Sequence, residues 1–478
     1  MQIIKNRTIV VDLDNSLIKI DIYLESLGRS LFVSPVIFFK TIYILLFNGG
    51  IGASKTYLAE NFKINLKNIP FNESVISYLK CCKKKDCKII LSSGSSEIYV
   101  SQISSNLGIF SNFHGSNKNF NNVGLNKLNL LLEKYGENFI YVGDSKKDYV
   151  IWEKCKSAII VGNNKLNKLD NNVNIIKKFN RNESKLKSIF KQLRIHQWTK
   201  NILVFIPSIL NYNIFKPEII FFNLKIFISF SLIASCMYIL NDINDVESDR
   251  NHYKKSKRPI ASGNLPVITG YLLIAILGVT GMTLAYQTNI ILMNIMLLYI
   301  VINCFYSFIL KKVFLLDIII LTSFYCLRVY TGSLHEEIPF SMWLMSFTLF
   351  IFFNLSLLKR FIDLIDLKNK LLSKIDGRVY MQKDIKIIKI LGYISTIFAL
   401  LTLSLYILSD QVLKIYDNSY LLFFIIPILT FWNLRIWRFA SKSKLDSDPV
   451  VFVIRDKFSY VIGITILIVL FFARYSYL

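Results

Sequence analysis

Hydrophobic patterning divides this chain into two regimes. Up to about residue 180, apolar residues come in short runs, at Ile9-Val10-Val11, Lys88 to Leu91, Phe139 to Val142 and Ala158 to Val161, separated by helix-prone stretches. Short continuous apolar runs suit strands buried on both faces, and their alternation with helices predicts a parallel α/β sheet. The segment Leu17 to Pro70, which follows the first strand, is apolar and helix-prone. Beyond about Trp198 the runs lengthen. Nine stretches, at about 196–213, 218–240, 266–286, 289–310, 313–333, 339–358, 387–408, 420–439 and 458–476, are each near the ~20 residues that cross a hydrocarbon core about 30 Å thick. The expected architecture is an N-terminal α/β domain over 1–165, a linker over 166–190 and an all-α nine-helix transmembrane bundle over 191–478. Asn163 to Lys187, rich in Asn and Lys, suits a solvated connection.

Composition agrees with a membrane assignment. The 478 residues are 53% hydrophobic and 14% aromatic, with a mean hydropathy of +0.43, too apolar for a soluble domain of this length. The formal charge of +25 needs no nucleic-acid partner: no RNA- or DNA-binding motif is present, and Lys and Arg beside helix ends favour anionic lipid headgroups. Alternate connections carry Arg250 to Arg258, Lys311 with Lys312, Lys359 to Lys386 and Lys442 to Lys457, whereas the opposite ones hold only Lys216 and Lys414 among basic residues. The positive-inside rule makes the basic side cytoplasmic, so a multi-pass protein of a bacterial inner membrane with its N-terminal domain in the cytoplasm is expected. Cys81, Cys82 and Cys87 lack a second ligand pair for zinc, the other four cysteines are scattered, and disulfides are not expected.

Charge at the end of an apolar span needs a reason. The stretch Asn241-Asp242-Ile243-Asn244-Asp245-Val246-Glu247-Ser248-Asp249-Arg250 places four carboxylates there. If the helix from about Phe221 continues through it, Asp242, Asp245 and Asp249 share one face. Such a face can hold Mg²⁺, a hard cation that shares its oxygen ligands with substrate phosphates. Lys254, Lys255, Lys257, Arg258 and Pro259 follow, then Ile260-Ala261-Ser262-Gly263. Basic groups beside an acidic metal site are what a diphosphate requires. The N-D-x-x-D-x-x-x-D helix end and R-P-x-x-x-G loop resemble the first motif of the UbiA-type intramembrane prenyltransferase superfamily. That resemblance implies that Asn241, Lys257 and Arg258 bind substrate and that Asp242, Asp245 and Asp249 hold the metal.

The N-terminal strands end in residues of a different chemistry. Asp12 and Asp14 follow the first, Ser92-Ser93-Gly94 the second, and Gly143-Asp144 with Asp148 the third, at the carboxyl ends where parallel sheets bind ligands. This order resembles the haloacid-dehalogenase (HAD) phosphatase superfamily, whose fold is a Rossmann-like parallel sheet with a helical cap, which Leu17 to Pro70 would form. The resemblance implies Asp12 as nucleophile, Asp14 as general acid/base, Ser93 as phosphate donor, and Asp144 and Asp148 as Mg²⁺ ligands beside Asp12. The family's lysine, commonly in N-x-K-G, is missing from Asn121-Asn122-Val123-Gly124, leaving Lys118 or Lys127 to replace it.

Further landmarks point to one branch of the membrane superfamily. Arg194-Ile195-His196-Gln197-Trp198-Thr199-Lys200-Asn201 resembles the R-x-x-Q-W-x-K-N signature of polyprenyl-phosphate phosphoribosyltransferases, although an interfacial aromatic belt would account for Trp198 and Lys200. Tyr306 with Lys311 ends the fourth span, Asp317 opens the fifth, and Arg328 lies roughly 22 Å in at the helical rise, where an arginine is functional by default. Lys359-Arg360-Phe361-Ile362-Asp363 resembles that branch's K-R-x-x-E-L, with Asp363 in place of the glutamate as a metal ligand and Asp366 as a helper. Asp448-Pro449 and Arg455-Asp456 fit the same branch or form loop salt bridges.

The resemblance implies transfer of phosphoribosyl from 5-phosphoribosyl diphosphate to polyprenyl phosphate, with Tyr306, Lys311, Arg328, Lys359 and Arg360 as further substrate contacts and the phosphatase acting on the product. Partners are then a polyprenyl phosphate or prenyl diphosphate lipid, a soluble diphosphate and membrane lipid. The alternatives are prenyl transfer to an aromatic or other acceptor, a transporter, and a membrane-anchored phosphatase.

Overall fold

The computed structural model describes residues 7–162, 173–180, 184–369, 379–413, 415–445 and 449–475. Asp448, Lys414 and parts of the expected linker lie outside them. The chain divides into two compact units, Met1–Leu193 with Tyr238–Ala275, and Arg194–Met237 with Ile276–Leu478.

The first unit holds six parallel strands, β1 (Thr8–Val11), β2 (Lys88–Ser96), β3 (Asn112–Ser116), β4 (Phe139–Gly143), β5 (Ser157–Val161) and β6 (Ile175–Phe179), in the order β3-β2-β1-β4-β5-β6. Alternate residues enter opposite cores: Ile9 and Val11 join Ile89, Leu91, Ile140 and Val142 on one face, while Val10, Ile90 and Tyr141 meet Leu128, Leu131 and Trp152 on the other. This two-sided burial explains why the β1, β4 and β5 segments read as unbroken apolar runs. The order reverses beside β1, which opens a crevice at the carboxyl ends of β1 and β4. Two strands went unread. β3 is Asn-Phe-His-Gly-Ser, too polar for a central run. β6 lies inside the expected linker and pairs with β5 as an edge.

The segment expected to be a cap forms helices Ile22–Val33, Pro35–Phe47 and Gly50–Asn61. Asp21 starts the first, its carboxylate accepting from Leu24 N at 2.9 Å.

Among the described residues, seven helices are long and apolar enough to cross a membrane: Pro217–Asn244, Val267–Thr288, Ile290–Ser307, Met342–Asn369, Gln382–Ile407, Ser419–Ser441 and Lys457–Tyr475. The other two expected spans take different forms. Residues Ile195–Phe205 wind as a tight 3₁₀ run and Ile206–Leu210 add a short helix with Pro207 in its first turn. Leu316–Thr331 is 16 residues long, about 24 Å at the helical rise and short of a bare hydrocarbon crossing. In the second unit, Asn354 donates to Gly392 O at 2.6 Å and accepts from Asn433 at 2.9 Å and Trp437 at 3.3 Å. Gly392 is required there, because a Cβ would come within 2.1 Å of the Trp437 ring.

Candidate active sites

Sheet register delivers the N-terminal site. β1 and β4 are in register with Val11 opposite Val142, so Asp12 falls opposite Gly143 and Asp144 follows one residue later at the same end of the sheet. Ligand oxygens of Asp12, Asp144 and Asp148 lie within 4.8 Å of one another. Asp148 is fixed on both oxygens: Tyr141 Oη donates to Oδ1 at 2.8 Å, and Ser145 N and Oγ donate to Oδ2 at 2.9 and 2.8 Å. Gly143 makes room for this, since a Cβ there would sit 2.8 Å from Asp148 Oδ2. All three residues offer hard oxygens, a set that fits Mg²⁺.

Lys127, rather than Lys118, supplies the cation. Its ammonium is 2.7 Å from Asp12 Oδ1 and 2.8 Å from Tyr141 Oη, buried on helix Leu125–Tyr135. Lys118 is exposed and faces Glu60 at 3.8 Å. Lys127 lies one helical turn past the N-x-K-G position, so a fixed motif misses it while its ammonium still reaches Asp12. Ser93 sits in the same site, beside Asp14. Its hydroxyl faces Asp14 Oδ2 at 3.2 Å, and Ser95 Oγ donates to the same oxygen at 2.6 Å. Lys55, from the cap, donates to Gly94 O at 2.6 Å. Sequence reasoning passed over Lys55, Ser95 and Tyr141; only the tyrosine hydroxyl inside an otherwise apolar strand carried a signal.

Burial pushes the Asp12 carboxyl up to about 7 even against the pull of Lys127. It pushes Asp14 up to about 6, with Asp21 adding to the effect. Burial also lowers Lys55, against the attraction of Asp14 and Asp21. Burial opposes the charge on Lys127 too, but Asp12 and Asp148 outweigh it and hold the ammonium above its ordinary range.

The second acidic cluster belongs to the same compact unit. The helix expected to run through it stops at Asn244, Asp245 takes a turn conformation (φ −90°, ψ 7°), and a short helix Val246–Asn251 follows. Two of the three acids still converge across this break. Asp242 and Asp249 are buried and both meet Arg258, whose Nη1 is 3.0 Å from Asp242 Oδ1 and 2.5 Å from Asp249 Oδ2. Asp245 accepts from Asn241 Nδ2 at 3.0 Å instead. Gln192, a residue the motif does not contain, donates to Asp242 Oδ2 at 2.8 Å. Asp249 Oδ1 is buried without a hydrogen bond, and Lys255 approaches it at 3.9 Å. Burial raises the Asp249 carboxyl, with Arg258 pulling the other way. An orphaned carboxylate oxygen beside a second carboxylate fits a divalent cation. Lys257 is exposed, with its ammonium 5.7 Å from the Tyr253 ring centroid.

The remaining charges of this motif turn toward the cap helix Ile22–Val33. Arg250 makes a two-pronged pair with Glu25, Nη1 to Oε1 and Nη2 to Oε2 at 2.8 Å each, both side chains buried. Arg29 meets Glu247 at 2.8 Å.

In the second unit, Arg360 is fully buried, with Nε 2.6 Å from Asp317 Oδ2 and Nη1 2.8 Å from Asp363 Oδ2. Tyr380 Oη donates to the other Asp317 oxygen. Asp363 is here an arginine partner, and Lys359 beside it is half-buried. Arg328 is caged. Its Nε donates to Asn201 at 2.7 Å and Nη1 to Phe324 O at 2.5 Å, with the rings of Phe230 and Tyr299 at 5.3 and 5.5 Å. These contacts tie Arg328 to the 194–201 signature, because Asn201 also donates to Ser231 at 2.9 Å; they account for its burial without a substrate. Tyr306 stands 6.4 Å from Phe324, ring to ring, and Lys311 is half-buried.

The UbiA prenyltransferase family matches residues 212–452, half of the chain. The chain belongs to that family and is an integral membrane protein. A Sinorhizobium fredii relative, the uncharacterized protein y4nM, is 30% identical over 95% of this chain and 89% of its own length. Decaprenyl-phosphate phosphoribosyltransferase of Mycobacterium tuberculosis is 34% identical over 161 residues, 32% of this chain and 53% of that enzyme, so the match spans about half of its length. Among solved structures, a UbiA homologue from Archaeoglobus fulgidus bound to DMAPP and Mg²⁺ is 15% identical, covering 59% of this chain and 98% of its own, with a TM-score of 0.44.

Proposed function

We propose that the membrane region moves a phosphoribosyl group from 5-phosphoribosyl diphosphate to polyprenyl phosphate, and that the N-terminal domain is a HAD-type phosphatase acting on the 5-phosphate of that product. The observation carrying the first half is Arg258 bridging Asp242 and Asp249: a guanidinium and two carboxylates at one point form the acid and base halves of a metal-diphosphate site. The likeness to decaprenyl-phosphate phosphoribosyltransferase supports this choice of sugar donor.

In the transfer, an anionic oxygen of the lipid phosphate bonds to the anomeric carbon as the bond from that carbon to the diphosphate breaks, and diphosphate leaves. No strong base is needed. Mg²⁺, when held by Asp242, Asp245 and Asp249, supplies positive charge for the leaving group. Arg258 swings from carboxylate to phosphate oxygens, Lys257 adds a second cation, and Asn241 keeps Asp245 oriented. In the second unit, Lys311, Lys359 and Arg360 are the groups proposed to bind phosphate. In the phosphatase, Asp12 attacks phosphorus, Asp14 protonates the departing alkoxide, and water then cleaves the aspartyl phosphate with Asp14 as base. Lys127 and Lys55 offset charge, and Asp12, Asp144 and Asp148 are the residues that would hold Mg²⁺. Both sites are assigned to the cytoplasmic side.

Membranes given radiolabelled phosphoribosyl diphosphate should place label in lipid, and Asp12→Asn should stop phosphate release from that product. Label entering only from prenyl diphosphate with a phenolic acceptor would replace the first half with prenyl transfer.

A further inference from the structure

Cap helix Pro35–Phe47 presents a stripe of large apolar side chains outward: Val36, Phe39, Tyr43 and Leu46 are 77%, 65%, 57% and 65% exposed. Their spacing of three and four residues puts them on one face. A monomeric soluble domain rarely leaves such a strip uncovered.

The neighbouring helix shows what covers it. Ile22–Val33 ends two residues before Pro35 and packs on the start of membrane helix Val267–Thr288. Tyr271 donates to Gly28 O at 2.7 Å. The Tyr271 ring stacks on Phe32 at 6.0 Å. Gly28 is needed for this approach, as a Cβ would lie 2.8 Å from Val267 Cγ1. Tyr271 is four residues into a span, so Phe32 is held about 6 Å along it from its start. The apolar helix therefore begins at the level where that span enters hydrocarbon. Its 13 residues reach about 20 Å, too short to cross and suited to lying in the interface.

We propose that Pro35–Phe47 is seated in the bilayer surface with Val36, Phe39, Tyr43 and Leu46 among the acyl chains, and that the Asp12 site consequently takes phosphomonoesters carried on membrane lipid. The second clause rests on the phosphatase reading; the first does not. Lys55 of the following cap helix, bonded to Gly94 O in the site, links the membrane-seated cap to the catalytic end of the sheet.

The full chain, reconstituted in phosphatidylglycerol–phosphatidylcholine vesicles, carries an environment-sensitive fluorophore at Phe39→Cys or, as control, at exposed Lys80→Cys, with labelling of the unsubstituted chain subtracted. Nitroxide-bearing acyl chains should quench the first at least roughly twofold more than the second. Equal quenching overturns the seating, and so does quenching that ignores the lipid label but rises with protein density, which would make a second copy the cover. A Phe39→Ser/Leu46→Ser chain should lose roughly tenfold in kcat/KM, through KM, on a vesicle-borne phosphomonoester, while turnover of soluble p-nitrophenyl phosphate stays unchanged. Equal loss on both substrates overturns the lipid-substrate clause. No turnover of either by the unsubstituted chain defeats the phosphatase reading instead, with the quenching result still deciding the seating.

Discussion

The two acidic clusters of the first unit are made of the same side chain and are kept in opposite states. Asp12, Asp144 and Asp148 stand with their oxygens together, Lys127 contacting Asp12 from one side. Asp242 and Asp249 are likewise buried, but an arginine sits between them. The difference follows from what each cluster is built on. Adjacent parallel strands fix the first by hydrogen-bonded register, so its carboxylates are held close, and burial, with neighbouring carboxylates adding to it, raises Asp12 and Asp14. The second sits at a helix end that breaks at Asp245, and the Arg258 guanidinium neutralises it. On the proposed reading, one cluster is organised for metal in advance and the other exchanges a cation for one.

Removing carboxylates tests this pairing most severely. Asp242→Asn or Asp249→Asn should cut transfer by roughly 10³-fold and leave phosphate release from added p-nitrophenyl phosphate intact. Asp12→Asn should do the reverse, since the amide can neither attack phosphorus nor match Lys127. Loss of both activities from either change would mean the clusters are not separate sites. Next in size is Glu25→Gln, which leaves buried Arg250 with half its partner and should destabilise the unit by about 3–5 kcal/mol, read from denaturant or thermal unfolding. Glu25→Leu with Arg250→Met should recover most of that, because apolar groups need no counter-charge. Failure of the double variant to recover would show that Arg250 also serves through its bond to Ala261 O at 3.0 Å.

Arg258→Gln separates the two designs directly. With the guanidinium gone, Asp242 and Asp249 face each other buried, so Mg²⁺ should bind without diphosphate roughly tenfold more tightly, while KM for phosphoribosyl diphosphate rises by about the same factor. Calorimetric titration in an Asp144→Asn background, which silences the N-terminal cluster, reads the first effect. Unchanged Mg²⁺ affinity would mean the guanidinium does not compete for the site.

How much of this could be read beforehand depended on whether the physics was local. The runs at Ile9 to Val11, Phe139 to Val142 and Ala158 to Val161 became strands because burial on both faces demands continuous apolar sequence. Asp12, Asp144 and the 242–249 acids were visible because charge beside such runs is otherwise costly. Lys127 was one of two possibilities, and only the geometry of helix Leu125–Tyr135 chose it. The β3 and β6 strands, polar and peripheral, draw their stability from pairing with β2 and β5, which no single segment reveals. Leu316–Thr331 looked like a full span because its ends are apolar, yet it is short and carries buried Asp317 and Arg328 that bond within the second unit. The docking of Glu25 and Arg29 on Arg250 and Glu247 joins residues more than 200 positions apart and left no trace in spacing.

The smallest effect expected is also the one that tells preorganisation from neutralisation by pH. Without metal, Asp12 near 7 and Asp14 near 6 both hold protons more tightly in the fold than at the ordinary carboxyl value of 3.8. Their contribution to stability is therefore full below about pH 4 and is lost as pH rises through 6 and 7. Mg²⁺ binds the ionised form, so it should add little to the melting temperature at pH 5, progressively more through pH 7, and a constant few degrees above pH 8. Asp144→Asn should remove the Mg²⁺ increment at every pH yet leave the metal-free decline, because Asp12 and Asp14 remain buried; Asp12→Asn should remove the part of the decline near pH 7 and leave the Asp14 part near pH 6. A Mg²⁺ increment independent of pH would mean that Asp12 is already ionised beside Lys127 before metal arrives, and the contrast between the two clusters would then rest on geometry alone.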